Sequence, residues 1–320
     1  MKNVLYIDAG DFLGENHMYP YYGAVYRELT KLVTVHTHQG HVRDMTAFLS
    51  NLGTPIDGII YGLGYFAQRD PDWFATIAGL SELNIPIACM LHKPQTMLTE
   101  KIQFCIDNGV SLIADPQYTF EKLEAATSIK TVHLPFTADP DLFQPRPSVS
   151  PIYDVGFSGA LHGSGKIEGP TQDLRQRAMA RLDLLEDYKI FWNGSDSVHT
   201  RIDNVEEYAR KINECKVWFA TTGPVLDMGP RYFEVALSKT LLFCNDMPDT
   251  YGDIFVDGET CVTFKNDLSD FDEKLHYYLN HDLERLQIID RAYDLIVSEY
   301  TWAHMARRLL EKMRTISDVS

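Results

Sequence analysis

Asn3 to Ile7 is an apolar run that feeds the turn residues Asp8-Ala9-Gly10-Asp11, and halfway along the chain Asp154-Val155-Gly156-Phe157-Ser158-Gly159 opens the same way. This double start is what most restricts the fold. After the first start the periodicity predicts a helix from about Tyr21 to Leu32 and strands at Val33 to Thr37, Gly58 to Tyr61, Pro86 to Leu91, Ser111 to Ala114 and Thr131 to Leu134. After the second it predicts strands at Lys189 to Trp192, Val217 to Thr221, Thr240 to Cys244 and Thr260 to Phe264. The helices there are expected at about Gln172 to Leu185, Val205 to Asn213, Arg231 to Leu237, Leu268 to Leu279 and Leu283 to Glu299. Strand and helix alternating at this pace imply α/β architecture, with two doubly wound Rossmann-like domains whose mostly parallel sheets are covered on both faces. The length of 320 residues agrees, since it exceeds one ordinary core and suits two of roughly 150 residues. Ala138 to Pro147 carries three prolines in eight residues, which excludes a regular helix and reads as a stiff linker. The expected domains are therefore 1–147 and 148–300, with 301–320 a closing helix. Such domains bind ligands at the carboxyl ends of their strands, so a cleft between them is the expected site.

Composition narrows the function. Net charge is −16, from 45 acids against 29 bases, and that field repels polyanions and argues against nucleic acid as the main partner. The five cysteines (Cys89, Cys105, Cys215, Cys244, Cys261) are scattered and odd in number, which reads as reduced core thiols. No apolar run reaches the roughly 18 residues of a membrane span, and Met1-Lys2-Asn3 leads into a strand with no secretory apolar region. A cytoplasmic location is expected. His36, His38 and His41 suggest a metal cluster, but His36 and His38 share one strand face and no Cys or carboxylate has ligand spacing, so no metal is expected.

The run Arg231-Tyr232-Phe233-Glu234-Val235-Ala236-Leu237-Ser238, followed by the apolar stretch Thr240 to Cys244, delivers a carboxylate on a helix just before a buried strand. Glu234 can accept hydrogen bonds from a ribose diol there while the helix start attracts a diphosphate, or it can face solvent on an amphipathic helix. With these residues the chain resembles the two-domain GT-B glycosyltransferases, and within them the CgeB-type, glycosyl transferases group 1 proteins. Leu134-Pro135-Phe136 followed by Asp139, Phe143 and Pro145 is similar to the family's joint, and Tyr153 to Gly159 to the strand and turn that open its nucleotide-binding domain. Arg231-Tyr232-Phe233-Glu234 resembles its R-x-F-E signature, whose Glu contacts the donor ribose. Glu299-Tyr300-Thr301-Trp302 to Leu309 resembles the closing helix that leads back towards the first domain. The likeness covers the second half nearly end to end and the first half in architecture. It implies transfer of a sugar from a nucleoside diphosphate sugar of UDP or GDP type, retaining and without a metal, with no permanently bound cofactor. The acceptor stays open between glycan, protein, small molecule and modified nucleic acid. In two places the chain departs from the pattern. Leu226 stands where relatives carry a second acid, with Asp227 the nearest carboxylate, and Lys239 replaces the small residue after the helix.

Sugar transfer needs the leaving diphosphate neutralised, and without a metal this falls to basic side chains and oriented amides. Arg231, Lys166 and the Gly159 turn are the candidates. Arg231 shares a helix face with Glu234 and could instead form a salt bridge with Glu234 or Asp227. Gly163-Ser164-Gly165-Lys166 looks like a phosphate loop, but Ala160 and Ile167 stand where that loop needs Gly and Ser or Thr, which argues against an ATPase. Asn193-Gly194 and Thr222-Gly223 follow apolar strands, where they suit a base edge and ribose or serve as ordinary turns. On the acceptor side, Gly10, Asp11 and Gly14 follow the first strand and His92-Lys93-Pro94 the fourth. Asp11 is a candidate to orient or deprotonate an acceptor hydroxyl, or a helix N-cap. His92 is a candidate to hydrogen-bond the donor sugar or its phosphates, or a satisfied edge histidine. Asp227 is the candidate sugar-binding acid. Tyr19, Tyr21, Tyr22 and Tyr26 can stack on a sugar or pack in the core. Two rival readings are a nucleotide-sugar epimerase and a sugar-nucleotide-binding protein without turnover. The charge of −16 counts against a DNA-base glycosyltransferase.

Overall fold

Short, continuously apolar strands such as Gly58–Tyr61 and Ile87–Met90 are buried on both faces, which requires helices above and below the sheet they join. The computed structural model describes residues 1–9, 19–93, 96–117, 120–161, 169, 171, 173–194, 202, 204–223, 226–247 and 253–317. Backbone contacts divide the chain into two units, Met1–Pro135 with Trp302–Ser320, and Phe136–Thr301.

The first unit holds β1 (Asn3–Asp8), α1 (Tyr19–Thr30), β2 (Thr34–Gln39), α2 (Met45–Leu52), β3 (Gly58–Tyr61), β4 (Ile87–Met90), α3 (Leu98–Asp107), β5 (Leu112–Asp115), α4 (Phe120–Thr127) and β6 (Lys130–His133). Its six strands run parallel in the order β2-β1-β3-β4-β5-β6. Leu5, Ile7, Ile59 and Ile113 point to one face, where they pack with Met45, Phe66, Phe104 and Cys105. β2 is the edge strand and reads Thr-Val-His-Thr-His-Gln, half exposed along its length. The Asp44 carboxylate caps α2 by accepting from Ala47 N–H, and Gly53 ends it at φ 65°, a left-handed turn that favours glycine.

The second unit holds β7 (Tyr153–Gly159), α5 (Leu174–Leu182), β8 (Ile190–Gly194), α6 (Val205–Asn213), β9 (Cys215–Ala220), α7 (Arg231–Leu237), β10 (Leu241–Asn245), β11 (Val262–Phe264), α8 (Phe271–Asn280) and α9 (Asp282–Glu299). Its five strands are parallel in the order β11-β10-β9-β7-β8. Val217 and Phe219 face α5 and α8, while the intervening Trp218 meets Tyr208 of α6. The alternation of a central strand thus buries one helix layer on each side. After this unit α10 (Trp302–Ser317) returns to the first, where it packs on α1 and β5.

The division between units falls at Pro135, whereas the composition placed it at 147. The proline-bearing segment 138–147 belongs to the second unit because its side chains are anchored there: Ala138 and Phe143 are buried, Phe143 meets the Tyr208 ring, and Arg146 N–H donates to Asn213 Oδ1 at 2.9 Å. All five cysteines are buried and none forms a disulfide. Among the described residues no helix is long and apolar enough to cross a membrane, and no three His, Cys, Asp or Glu side chains could hold a metal. His38 and His41 pack edge-on or tilted against Phe48 and Trp73.

Candidate functional site

In the second sheet the strand order reverses between β7 and β9, and the ends of these two strands form the crevice where open α/β sheets take ligands. Gly159 ends β7. A side chain there would bring its Cβ within 2.7 Å of Arg231 Nη2, so glycine at φ 152° is what lets the guanidinium lie against the strand end. Register pairs Ser158 with Asn193 and Gly159 with Gly194, which sets both β8 residues beside this point. Gly194 also lets the Trp192 indole lie over the backbone, since a Cβ would meet Trp192 Nε1 at 2.4 Å.

Arg231 and Glu234 occupy successive turns of α7, whose other residues are apolar and buried. Glu234 is 2% exposed, so the carboxylate does not face solvent. A buried carboxylate must be hydrogen-bonded, and the partner comes from α6: Tyr208 Oη donates to Glu234 Oε2 at 2.9 Å. The same phenol oxygen accepts from Arg231 Nε at 3.2 Å, so one hydroxyl joins the two residues.

A second guanidinium stands close by. Arg175, in the first turn of α5, is buried and donates from Nε to Thr221 Oγ1 at 2.7 Å and from Nη1 to Ala160 O at 2.6 Å. It thereby ties the segment after β7 to the segment after β9. The guanidinium carbons of Arg175 and Arg231 lie 5.7 and 5.5 Å from the Phe157 ring centroid, within cation–π range. Two fixed cations at the reversal point make a site suited to a polyanion.

The segment after β9 is fastened from three sides. Thr222 N–H donates to Asn245 Oδ1 at 2.8 Å, and Asn245 Nδ2 donates to Thr222 Oγ1 at 3.1 Å. Thr171 Oγ1 donates to Gly223 O at 2.7 Å. The Asp227 carboxylate lies directly over Gly223, where a Cβ would come within 1.8 Å of Oδ1, and Leu226 before it adopts φ 62°. The chain therefore turns sharply at Leu226 to present Asp227 on the same loop as Thr222 and Gly223.

The first sheet reverses between β1 and β3, and β1 ends there in an acid rather than a glycine. Asp8 ends β1 with a fully buried carboxylate that accepts from Ala9 N–H at 2.7 Å and from Tyr6 Oη at 3.1 Å. Gly62 and Gly64 make room for it, since Cβ atoms there would come within 2.0 and 2.7 Å of its oxygens. Burial pushes the Asp8 carboxyl up to about 7 against the opposing pull of Ala9 N–H, Tyr6 Oη and the N–H groups of Gly64 and Tyr65. The Asp8 carboxyl thus occupies the space beside Gly62 and Gly64 in the first sheet, whereas in the second sheet glycine makes room for an arginine.

His92 follows β4 and is buried, with Nε2 3.1 Å from Tyr22 Oη. Burial, then the charges of Lys93 and Lys101, push its imidazole down to about 3, so it is neutral at physiological pH. Lys101 Nζ donates to the carbonyls of His92 and Lys93 at 2.8 and 3.1 Å and fixes that strand end. Tyr26 packs on Tyr6 with centroids 5.7 Å apart, a core contact.

Of the residues singled out in the sequence, the structure gathers Gly159, Asn193, Gly194, Thr222, Gly223, Asp227, Arg231 and Glu234 at the strand ends of the second sheet. His92 lies in the first unit with Tyr22. Gly10, Asp11, Gly14, Pro94, Gly163, Gly165 and Lys166 lie outside the described residues. Sequence reasoning missed Tyr208, Arg175, Asn245 and Asp8. Tyr208 and Asn245 read as core positions of a helix and a strand. Asp8 did carry a signal, as an acid ending an apolar strand just before Ala-Gly.

Residues 158–311 match the protein family described as Glycosyl transferase-like. No curated protein matches the chain in sequence. Among solved structures, the chain is similar to Anabaena HepE in complex with UDP-glucose, with 11% identity, TM-score 0.59 and coverage of 98% of this chain and 100% of that one. It is also similar to sucrose-phosphate synthase from Thermosynechococcus elongatus, with 10% identity, TM-score 0.63 and full coverage of both chains. A glycosyltransferase from Rickettsia africae aligns over 100% of this chain and 99% of its own, with 12% identity and TM-score 0.58. The two parallel sheets flanked by helices are those of the GT-B glycosyltransferases, and this fold together with the family match supports a glycosyltransferase.

Proposed function

We propose that the protein transfers a hexose-type sugar from a nucleoside diphosphate donor, bound by the second domain, to a hydroxyl-bearing acceptor. The observation that carries this reading is the buried pair Glu234 and Arg231, joined through one phenol beside Gly159 at the reversal point of the second sheet. In this assignment Glu234 accepts from the ribose diol, and Arg231 faces the diphosphate with support from Arg175 and, in the segment after β7, Lys166. Asn193-Gly194 and Thr222-Gly223 border the base and ribose, and Asp227 takes the place of the sugar-binding acid. Gly10, Asp11 and His92 of the first domain are assigned to the acceptor side. The HepE complexes with UDP and UDP-glucose favour a donor of UDP type over GDP.

The chemistry breaks the bond between the anomeric carbon and the β-phosphate oxygen and forms one to the acceptor oxygen. The acceptor's proton passes to the departing diphosphate on the same face of the sugar, which retains the configuration. Negative charge grows on the diphosphate as that bond opens, and preoriented guanidinium groups stabilise it without reorganising. No metal and no resident cofactor are assigned to this step.

Titration of UDP, GDP, ADP, CMP and dTDP into the wild type by calorimetry, followed by the matching nucleotide sugars, tests this. One nucleoside diphosphate should bind clearly, and Arg231→Ala and Glu234→Ala should each weaken it by about tenfold or more, the loss of a charged hydrogen bond, with the fold retained by circular dichroism. Binding by none of the nucleotides, or wild-type affinity in both variants, would sink the site. Conversion of a bound donor into its epimer with no acceptor present would replace transfer by epimerisation.

A further inference from the structure

Tyr208 joins parts of the second domain that are far apart in the chain. Its hydroxyl donates to Glu234 Oε2 at 2.9 Å and accepts from Arg231 Nε at 3.2 Å. Its ring is held edge-on between Phe143, centroids 5.9 Å apart at 79°, and Trp218, 5.8 Å at 71°. Burial raises its phenol far above the ordinary value, ahead of the Glu234 charge, so the hydroxyl keeps its proton and stays a donor to the carboxylate. The backbone under it is also fixed, because Asn204 caps α6 by accepting from Glu206 and Glu207 N–H.

We propose that Tyr208 is the positioning residue of the donor site, selecting the rotamers in which Glu234 meets a ribose diol and Arg231 a diphosphate. A glutamate side chain has three rotatable bonds and an arginine four, and a donor that had to order them on arrival would bind more weakly. Here one hydroxyl on a clamped ring orders both in advance. The same packing explains a feature of the segment 138–147: Phe143 supports the phenol that aligns the two residues. This inference rests on the donor-site reading above.

Calorimetry of wild type and Tyr208→Phe with UDP, GDP and their 2′,3′-dideoxy counterparts tests it, with the thermal midpoint of the variant confirming that it folds. Wild type should prefer the ribose nucleotide over the dideoxy form. Tyr208→Phe should weaken the ribose nucleotide by about five- to tenfold and the dideoxy form by less, so that the preference for ribose shrinks. An unchanged ribose preference overturns the proposal even if overall affinity falls, since a merely structural role lowers both ligands alike. A wild type that binds none of UDP, GDP, ADP, CMP and dTDP overturns the donor-site reading and this inference with it; a wild type that binds, beside a variant of unaltered preference, overturns this inference alone.

Discussion

A single residue at the reversal point distinguishes the two sheets. β7 ends in Gly159, against which Arg231 lies, and β1 ends in Asp8, whose own carboxyl fills the niche left by Gly62 and Gly64. The first arrangement sets a cation at the strand end, and the second a buried carboxyl that takes up the space itself. Asp8 also gives stability a pH dependence whose sign follows from its raised value of about 7, against an ordinary value of 3.8. Below about pH 4 it is protonated in both folded and unfolded chains and its contribution is fully present. Between about pH 4 and 7 the unfolded chain ionises while the folded one holds its proton, so stability falls with rising pH by up to about 1.4 kcal/mol for each pH unit. Asp8→Asn does not titrate. Urea midpoints measured from pH 4 to 8 should fall more steeply for wild type than for Asp8→Asn, and equal slopes would show that the carboxyl is not held protonated by the fold.

The elements of the site are short, and side chains from other elements hold them in place. The segment after β9 carries Thr222, Gly223 and Asp227, yet its shape depends on Asn245 at the end of β10, on Thr171, and on Arg175 of α5. Asn245 is fully buried and also donates to Asn266 Oδ1 at 2.8 Å and to Asp246 O at 3.0 Å. Asn245→Ala would leave the Thr222 N–H without this acceptor and the Asn266 amide oxygen without this donor. Its expected cost is about 1 to 3 kcal/mol, the penalty for leaving the buried Thr222 N–H unsatisfied, since the half-buried Asn266 oxygen can turn to water. Urea denaturation measures this directly, and a variant as stable as wild type would mean that water or a shifted side chain replaces the amide. The seven residues of α7 are too few to be stable alone. Their helix exists because Tyr232, Phe233, Val235, Ala236 and Leu237 are all buried.

For the whole molecule, net charge bears on whether nucleic acid can be a partner. A field of −16 opposes a DNA duplex, so fluorescence anisotropy at about 0.15 M salt should show no binding to a labelled 30-mer; binding that weakens steeply with added salt would reveal a local basic groove and reopen a nucleic-acid acceptor. The architecture was legible because parallel strands buried on both faces must be apolar throughout and must alternate with helices. Val205 to Asn213 and Arg231 to Leu237 were accordingly found to the residue. The boundary between the units at Pro135 was not, because prolines in Ala138 to Pro147 announce only a stiff extended segment, and what that segment packs on is a long-range matter. By itself the sequence determined two α/β domains and the short helix that carries Arg231 and Glu234, since each depends on local periodicity or spacing. Only the tertiary structure decided that Glu234 is buried, that Tyr208 from 26 residues away joins it to Arg231, and that Arg175 spans two loops. These are hydrogen bonds between residues distant in the chain, and their partners are chosen by the packing of whole elements, which no local pattern encodes.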